Sequence, residues 1–531
     1  MQLTARQRYT QLCFLREPFI SRAKECSKYT VPSLFPADID TQNGGHVPGK
    51  LKTPYQSAGA QGVNNLSSKL LLTLFPSETS FMKLEASPTT QAEINRMEPE
   101  EAKAYKMGIE QSFAKMEEAI LREINNSADR TTLKEYLEHV IVTGGGLLYD
   151  ADDGLRFYNL SQYVISRDTG GKILEIILKE QIAPVLLPPE IQQILDNPVD
   201  AESDTPVEIY TWVKRTAKGW RVHQEIEDKV IETSRGTYPL EACPWIAPRI
   251  IKISGSAYGR SYVEESLGDL KSLEALSEAL VTGAACAAKV IYLVSPSGTT
   301  DETDLQDAAS GDFVTGNAED VTLLQSDKRA DFQTTLQAVQ ELKDSLAHAY
   351  LQNSAIQRSG ERVTAEEIRY MAGELEDVLG GVYSLLSQEL QLPYVKAKLN
   401  KLMRNGTITS VNPKLIEPKI VTGLDALGKR HDSSRLLQFV GAVAQTLGPQ
   451  AIAQYCDPLQ IVGKLALSMG VSTEGIVKTA EQLASEQQQA VQQQQQQTML
   501  EQGTAPAINQ IGQMLQNQQT QQQGEVIQND N

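Results

Sequence analysis

Apolar residues recur at spacings of three and four through several long stretches of this chain, and each such run predicts an amphipathic helix. Ala5 to Lys28 is one, closed by the loop signals VPSLFP and the glycine-rich GGHVPGK. About Pro99 to Asn126 is another, with Ile109, Phe113, Met116, Ile120 and Ile124 on one stripe. Between Leu147 and Pro248 the period shifts towards two and turn residues crowd together, as in LLYDADDGLRFY, VISRDTGGKILEIIL and VEIYTWVKRTAKGWRVHQEI. That pattern predicts an antiparallel, hairpin-rich region.

Helical spacing returns from Tyr262 to Lys289, through Val263, Leu267, Leu270, Leu273, Leu276, Leu280, Ala284 and Ala287. The predicted helix is about 42 Å long. Its end, GAACAAK, is nearly all small residues, which lets neighbouring helices approach closely; Glu264, Glu265, Asp269, Glu274 and Glu278 add an acidic side. VIYLVSPSG, DFVTG and VTLLQ then predict a short β module with acidic loops, and a further helix runs from about Asp331 to Leu351 on Phe332, Leu336, Val339, Leu342, Leu346 and Ala349. Two helices flanking one small β module predict a stalk with a tip. After the polar loop NSAIQRSGERV, a third long helix opens at a capping box of Thr364 and Glu367 and continues through Ile368, Met371, Leu375, Val378, Val382 and Leu386. Gly380 and Gly381 interrupt it, each costing about 1 kcal/mol relative to alanine, so a kink or hinge is expected there. About Asp432 to Ser485 reads as a small helical bundle, and from Glu486 onward glutamine dominates. There is no internal repeat.

A chain of 531 residues with 40% hydrophobic content calls for several packed modules. The net charge of −18 opposes long-range attraction to phosphate, so any DNA contact must be local or geometric. Cys13, Cys26, Cys243, Cys286 and Cys456 form no CxxC pair, which fits a reducing cytosol and gives neither a zinc knuckle nor a disulfide framework. No apolar run reaches the length of about 20 residues that spans a bilayer, and MQLTARQRYTQLCFL breaks its hydrophobics with arginine and glutamine, so no membrane partner and a cytoplasmic site of synthesis are expected.

Chemistry-bearing motifs are sparse. His46, His139, His223, His348 and His431 are far apart, with no HExxH or Cys/His cluster. Gly255-Ser-Ala-Tyr-Gly259-Arg260-Ser261 precedes a helix but has one residue too few between its glycines, and arginine where a phosphate loop has lysine; a structural turn is the favoured reading, with a bound anion as the alternative. Gly144-Gly145-Gly146 follows the helix HVIVT and reads as a helix C-cap before a strand. No catalytic, cofactor-binding or metal-ligating residue is assigned, and no cofactor is expected.

Three stretches, in order, resemble the portal (head-to-tail connector) proteins of T7-like podoviruses: TPYQSAGAQGVNNLSSKLLLTLFPSETSFMKL (Thr53 to Leu84), CPWIAPRIIKISGSAYGRSYVEESLGDLKSLEALSEAL (Cys243 to Leu280) and SGERVTAEEIRYMAGELEDVLGGVYSLLSQEL (Ser359 to Leu390). The resemblance covers nearly the whole chain. It implies an α+β, mainly helical portal-type subunit that assembles as a dodecameric ring at one capsid vertex, not an enzyme. Mapped onto the residues, the wing is 1–254 together with 364–431, which holds the long kinked helix. The stem helices are 255–289 and 331–352, the clip is 290–330, the tunnel loop 353–363, the crown 432–485 and the glutamine-rich C-terminal barrel or tail 486–531. The implied function is a channel through which double-stranded DNA is packaged and ejected, without sequence reading. Implied partners are the large terminase, scaffolding protein, major capsid protein, tail adaptor and internal core proteins. The implied location is the portal vertex of the virion, with host cytoplasm during assembly.

Within that frame Arg358 and Arg362 are expected to face DNA from the tunnel loop, each becoming a ring of guanidinium groups; pairing with Glu361, Glu366 or Glu367 is the competing reading. Ser297, Asp301, Glu302 and Asp304 are expected on the clip's docking surface, and Gly380 and Gly381 at the hinge. The tail is expected to be disordered in a monomer and partly helical in a ring. Two other readings compete: a terminase-like packaging enzyme, disfavoured by the missing phosphate loop, and a non-viral scaffold with a disordered tail.

Overall fold

The computed structural model describes residues 3–36, 39–40, 47–48, 51–76, 80–195, 206–288, 291–324, 329–352, 379, 381–408 and 416–420, with isolated residues between 440 and 461. The chain divides into residues 1–427 and 428–531, and nearly all of the described residues belong to the first unit. The tunnel loop with Arg358 and Arg362, the capping box of Thr364 and Glu367, Gly380, most of the expected crown and the whole tail lie outside the described residues.

The fold is a mixture of helix and strand. Helix α1 (Ala5–Tyr29) opens at a capping box in which Thr4 and Gln7 satisfy each other's backbone N–H groups. After the short pair β1 (Ile39–Asp40) and β2 (Val47–Pro48) come α2 (Ala58–Leu74), β3 (Met82–Ala86), α3 (Pro88–Ile94), α4 (Pro99–Asn126) and α5 (Asp129–Thr143). The stripe predicted for α4 is the face that packs: Phe113, Met116, Ile120 and Ile124 are buried. Gly144 ends α5 at φ +86°, a left-handed conformation that glycine adopts without a Cβ penalty, and the chain turns directly into a strand.

The hairpin-rich region resolves into β4 (Leu147–Ala151), β5 (Gly154–Tyr158), β6 (Tyr163–Arg167), β7 (Ile173–Ile182), β8 (Val207–Arg215), β9 (Trp220–Ile226), β10 (Lys229–Tyr238) and β11 (Trp245–Ile246), with the short helix α6 (Pro189–Gln192) between β7 and β8. All pairings are antiparallel, in a five-stranded sheet ordered β10-β9-β8-β7-β6 and a three-stranded sheet ordered β11-β4-β5. The strand period of two gives the larger sheet two apolar faces. Ile177, Val164 and Tyr210 meet Tyr9 and Leu12 of α1, while Ile176, Leu178 and Val213 pack with Tyr163, Trp220 and Tyr258.

The stalk follows. Helix α7 (Leu267–Ala287) starts five residues later than the apolar periodicity predicts, because Val263–Glu265 forms a tighter 3-10 turn and Ser266 leaves helical geometry at φ −108°. Its 21 residues span about 32 Å, not the 42 Å expected. Strands β12 (Ile291–Val294) and β13 (Val321–Leu324) pair antiparallel with α8 (Glu302–Asp307) between them; DFVTG forms no strand. Helix α9 (Arg329–Ala349) returns to the body. Beyond it lie α10 (Gly381–Leu386), a π turn (Ser387–Gln391), α11 (Leu392–Arg404) and β14 (Ile416–Ile420), which pairs with β3. One apolar core joins α2, α4 and α5 to the near ends of α7 and α9 and to α10 and α11, through Leu70, Ile120, Leu137, Leu273, Tyr350 and Tyr394.

Candidate functional site

Helices α7 and α9 run antiparallel and are pinned where they leave the body. Tyr262 Oη donates to the Ala349 carbonyl at 2.9 Å, and the Ser266 and Tyr350 hydroxyls are 2.9 Å apart. Several acidic residues of this region are tethers: Glu274 accepts the backbone N–H groups of Tyr55 at 3.0 Å and Gln56 at 3.3 Å, and Glu264 lies 3.2 Å from Arg260 and 3.6 Å from Arg22. Farther out, the small-residue end of α7 does what small residues permit. A Cβ on Gly283 would stand 2.7 Å from Phe332 Cε1, so the two helices nearly touch. Their outer faces stay open, with Val281 54% and Leu336 57% exposed.

The inner end of α9 is clasped by α2. Gly62 gives its space to the Tyr350 ring, Asn65 Nδ2 donates to the carbonyls of Tyr350 at 2.9 Å and Leu351 at 3.0 Å, and the buried Lys69 Nζ donates to the Leu351 carbonyl at 2.6 Å. Leu351 itself sits at φ +56°. These side chains satisfy carbonyls that a helix leaves without internal partners. Sequence reasoning missed the clasp. The available signal was Gly62, Asn65 and Lys69 at helical spacing on an otherwise apolar face.

At the far end, the four residues expected to dock a partner are all exposed. Asp301 caps α8 by accepting from Thr303 N at 2.9 Å, and the Thr303 hydroxyl followed by its backbone N–H holds the Asp301 carboxyl below its ordinary pKa. Glu302 and Asp304 stand on the exposed surface of α8, and Ser297 lies in the turn after β12. Asp320 closes that turn, accepting from Thr299 N at 2.8 Å and the Thr300 hydroxyl at 3.2 Å.

Of the two hinge glycines, Gly381 is described: it begins α10, and a Cβ there would meet no atom within 4 Å. Among the described residues of this helix, an irregularity follows α10 directly, in the π turn Ser387–Gln391. Pro393 gives the reason, since proline lacks an N–H and its ring clashes with the carbonyl four residues back, and a widened turn accommodates both. The π turn aims Glu389 at Arg249: one carboxylate oxygen accepts from Arg249 N and Nε at 3.1 Å each, the other from Nη2 at 2.5 Å. Burial, and then the Arg249 charge, push the neighbouring Arg167 down to about 10. One step farther, Lys398 of α11 is fully buried, with its ammonium 2.7 Å from both Asp129 and Asp150. Burial disfavours the Lys398 charge, yet the two carboxylates outweigh it and raise its pKa.

Burial pushes the Cys26 thiol up to about 11 and lowers His139 to about 4, leaving both neutral near pH 7. The glycine and arginine turn at 255–261 is structural: Arg260 N donates to the Ile251 carbonyl at 3.0 Å, and a Cβ on Gly259 would meet the Gly144 carbonyl oxygen. Among the described residues no group of three or more His, Cys, Asp or Glu could hold a metal, and no helix is long and apolar enough to cross a membrane.

A family model described as "Bacteriophage head to tail connecting protein" matches residues 2–477. The chain is 39% identical to the portal protein of Escherichia phage T7, over 90% of this chain and 89% of that protein. It is also 39% identical to the portal protein of Enterobacteria phage T3, again over 90% and 89% of the two chains. The portal protein of Pseudomonas phage phiKMV is 32% identical over 88% of this chain and 90% of its own length.

Proposed function

The chain belongs to the bacteriophage head-to-tail connecting protein family, and on that premise we propose that it forms a dodecameric ring at one vertex of the head, enclosing a channel through which double-stranded DNA is packaged and later ejected. Its role is structural, with no catalytic step of its own. The observation that carries the reading is the stalk. Val281, Tyr292, Leu293 and Leu336 are 54%, 63%, 51% and 57% exposed on a single chain, apolar surface of the kind that neighbouring copies cover.

In this reading the helices at 255–289 and 331–352 are the stem, 290–330 the clip, and 1–254 with 364–431 the wing; 353–363 is the tunnel loop, 432–485 the crown and 486–531 a barrel-forming tail. Arg358 and Arg362 make rings of guanidinium groups that touch phosphate without reading sequence. The acidic chain limits sticking, since every neutralised phosphate adds affinity and therefore drag. The clip docks the large terminase during packaging and the tail adaptor afterwards, while scaffolding, major capsid and internal core proteins meet other surfaces in the head. Negative-stain microscopy of the purified protein tests the proposal: rings with a central hole are expected, and monomers that turn over ATP would overturn it.

A further inference from the structure

Phe313 is 103% exposed, the most open large apolar side chain of the described residues. Leu305 and Val314, each 39% exposed, belong to the same tip. The ring is held out by a defined turn: Asp312 N donates to the Ala309 carbonyl at 3.1 Å, Asp312 Oδ2 accepts from Ala309 N at 2.8 Å, and Gly311 takes the positive φ of +106°. A fixed turn that places an aromatic side chain in water resembles the anchor of an interface, because little further ordering is needed when a partner covers it.

Charge decides what the partner is. Residues 291–324 carry seven carboxylates and no lysine or arginine. In a ring each copy brings the same seven negative charges to the same height, so the tips together present a strongly acidic rim. A cationic surface is the complement. We infer that Phe313 is the anchor by which the tip seats in an apolar socket on a protein partner whose surrounding surface is basic. This rests on the reading of the clip as a docking surface and adds the chemistry of what docks.

The test uses rings of the full chain with Phe313→Ala, Phe313→Leu or the triple change Glu302→Gln/Asp304→Asn/Asp307→Asn, which leaves the Asp301 and Asp312 turns in place. Each is titrated with the purified large terminase and with the purified tail adaptor, at low and at physiological ionic strength. For at least one partner, Phe313→Ala is expected to weaken binding about tenfold or more with rings intact, and Phe313→Leu to recover part of it. The triple variant is expected to bind more weakly at low salt and to lose most of the salt dependence. Unchanged binding of both partners by Phe313→Ala overturns the anchor, as does loss of ring assembly in that variant, which would assign Phe313 to a contact between copies. Replacing residues 297–320 by a short glycine linker separates the two levels. If this abolishes binding while Phe313→Ala does not, docking stands and the anchor falls; if binding survives the replacement, docking at the clip falls too.

Discussion

Gly62 lies so close to the Tyr350 ring that a β-carbon on it would stand 2.6 Å from Tyr350 Cγ. The inner end of α9 can therefore seat only on a bare stretch of α2. Gly62→Ala is expected to destabilise the chain by about 1–3 kcal/mol, because either the ring or the helix must move. Combining it with Tyr350→Leu should cost less than the two changes summed, as expected for residues in contact. Urea unfolding of the four proteins measures this coupling.

Lys398 pairs with two carboxylates in the core, where Lys401 lies 3.7 Å from Asp150 as a second cation and Tyr394 Oη donates to Asp129. Lys398→Met is expected to cost about 3–5 kcal/mol, since it leaves uncompensated charge in the core. Adding Asp129→Asn and Asp150→Asn to it should restore part of that loss, which denaturant midpoints at fixed protein concentration would reveal.

His139 predicts a pH dependence. Burial depresses its pKa from 6.5 to about 4, so the unfolded chain binds the proton more readily than the folded one. Its contribution is complete above about pH 6.5 and declines as pH falls towards about 4, by up to about 3 kcal/mol. His139→Leu should flatten that part of the stability curve, read from melting temperatures across the same range.

Replacing both Gly380 and Gly381 by alanine is expected to stiffen the helix, at a gain of about 1 kcal/mol per residue in helix propensity. The open space around Gly381 offers no clash to oppose the change there. Rings should form normally and packaging or retention of DNA should fall. Normal packaging and retention in the double variant would remove the hinge.

What the sequence made legible was what repeats along the chain. The stripe of α4, helix α9 and the glycine stop after α5 are local patterns, and each appears close to where its spacing put it, while α7 is found with a late start. Contacts between distant segments left no such trace. Asn65 and Tyr350 are 285 positions apart, and nothing in either neighbourhood announces the other. Glu274 read as one more charge on an acidic side, yet its partners are backbone N–H groups of Tyr55 and Gln56, which no charge pattern encodes. The π turn escaped for a related reason: Pro393 marks it, but the period of the apolar residues continues almost undisturbed around it.

The near-contact of Gly283 with Phe332 gives the stalk a mechanical character. Two helices joined at the tip by a hairpin and at the base by hydroxyl bonds form a narrow truss, and bending it requires one helix to slide past the other. A ring wedged over a glycine resists that sliding as a key resists rotation in its slot. The bonded base of this truss, at Ser266, Tyr350 and the α2 clasp, therefore lies a full helix length of about 32 Å from the outer end of α7.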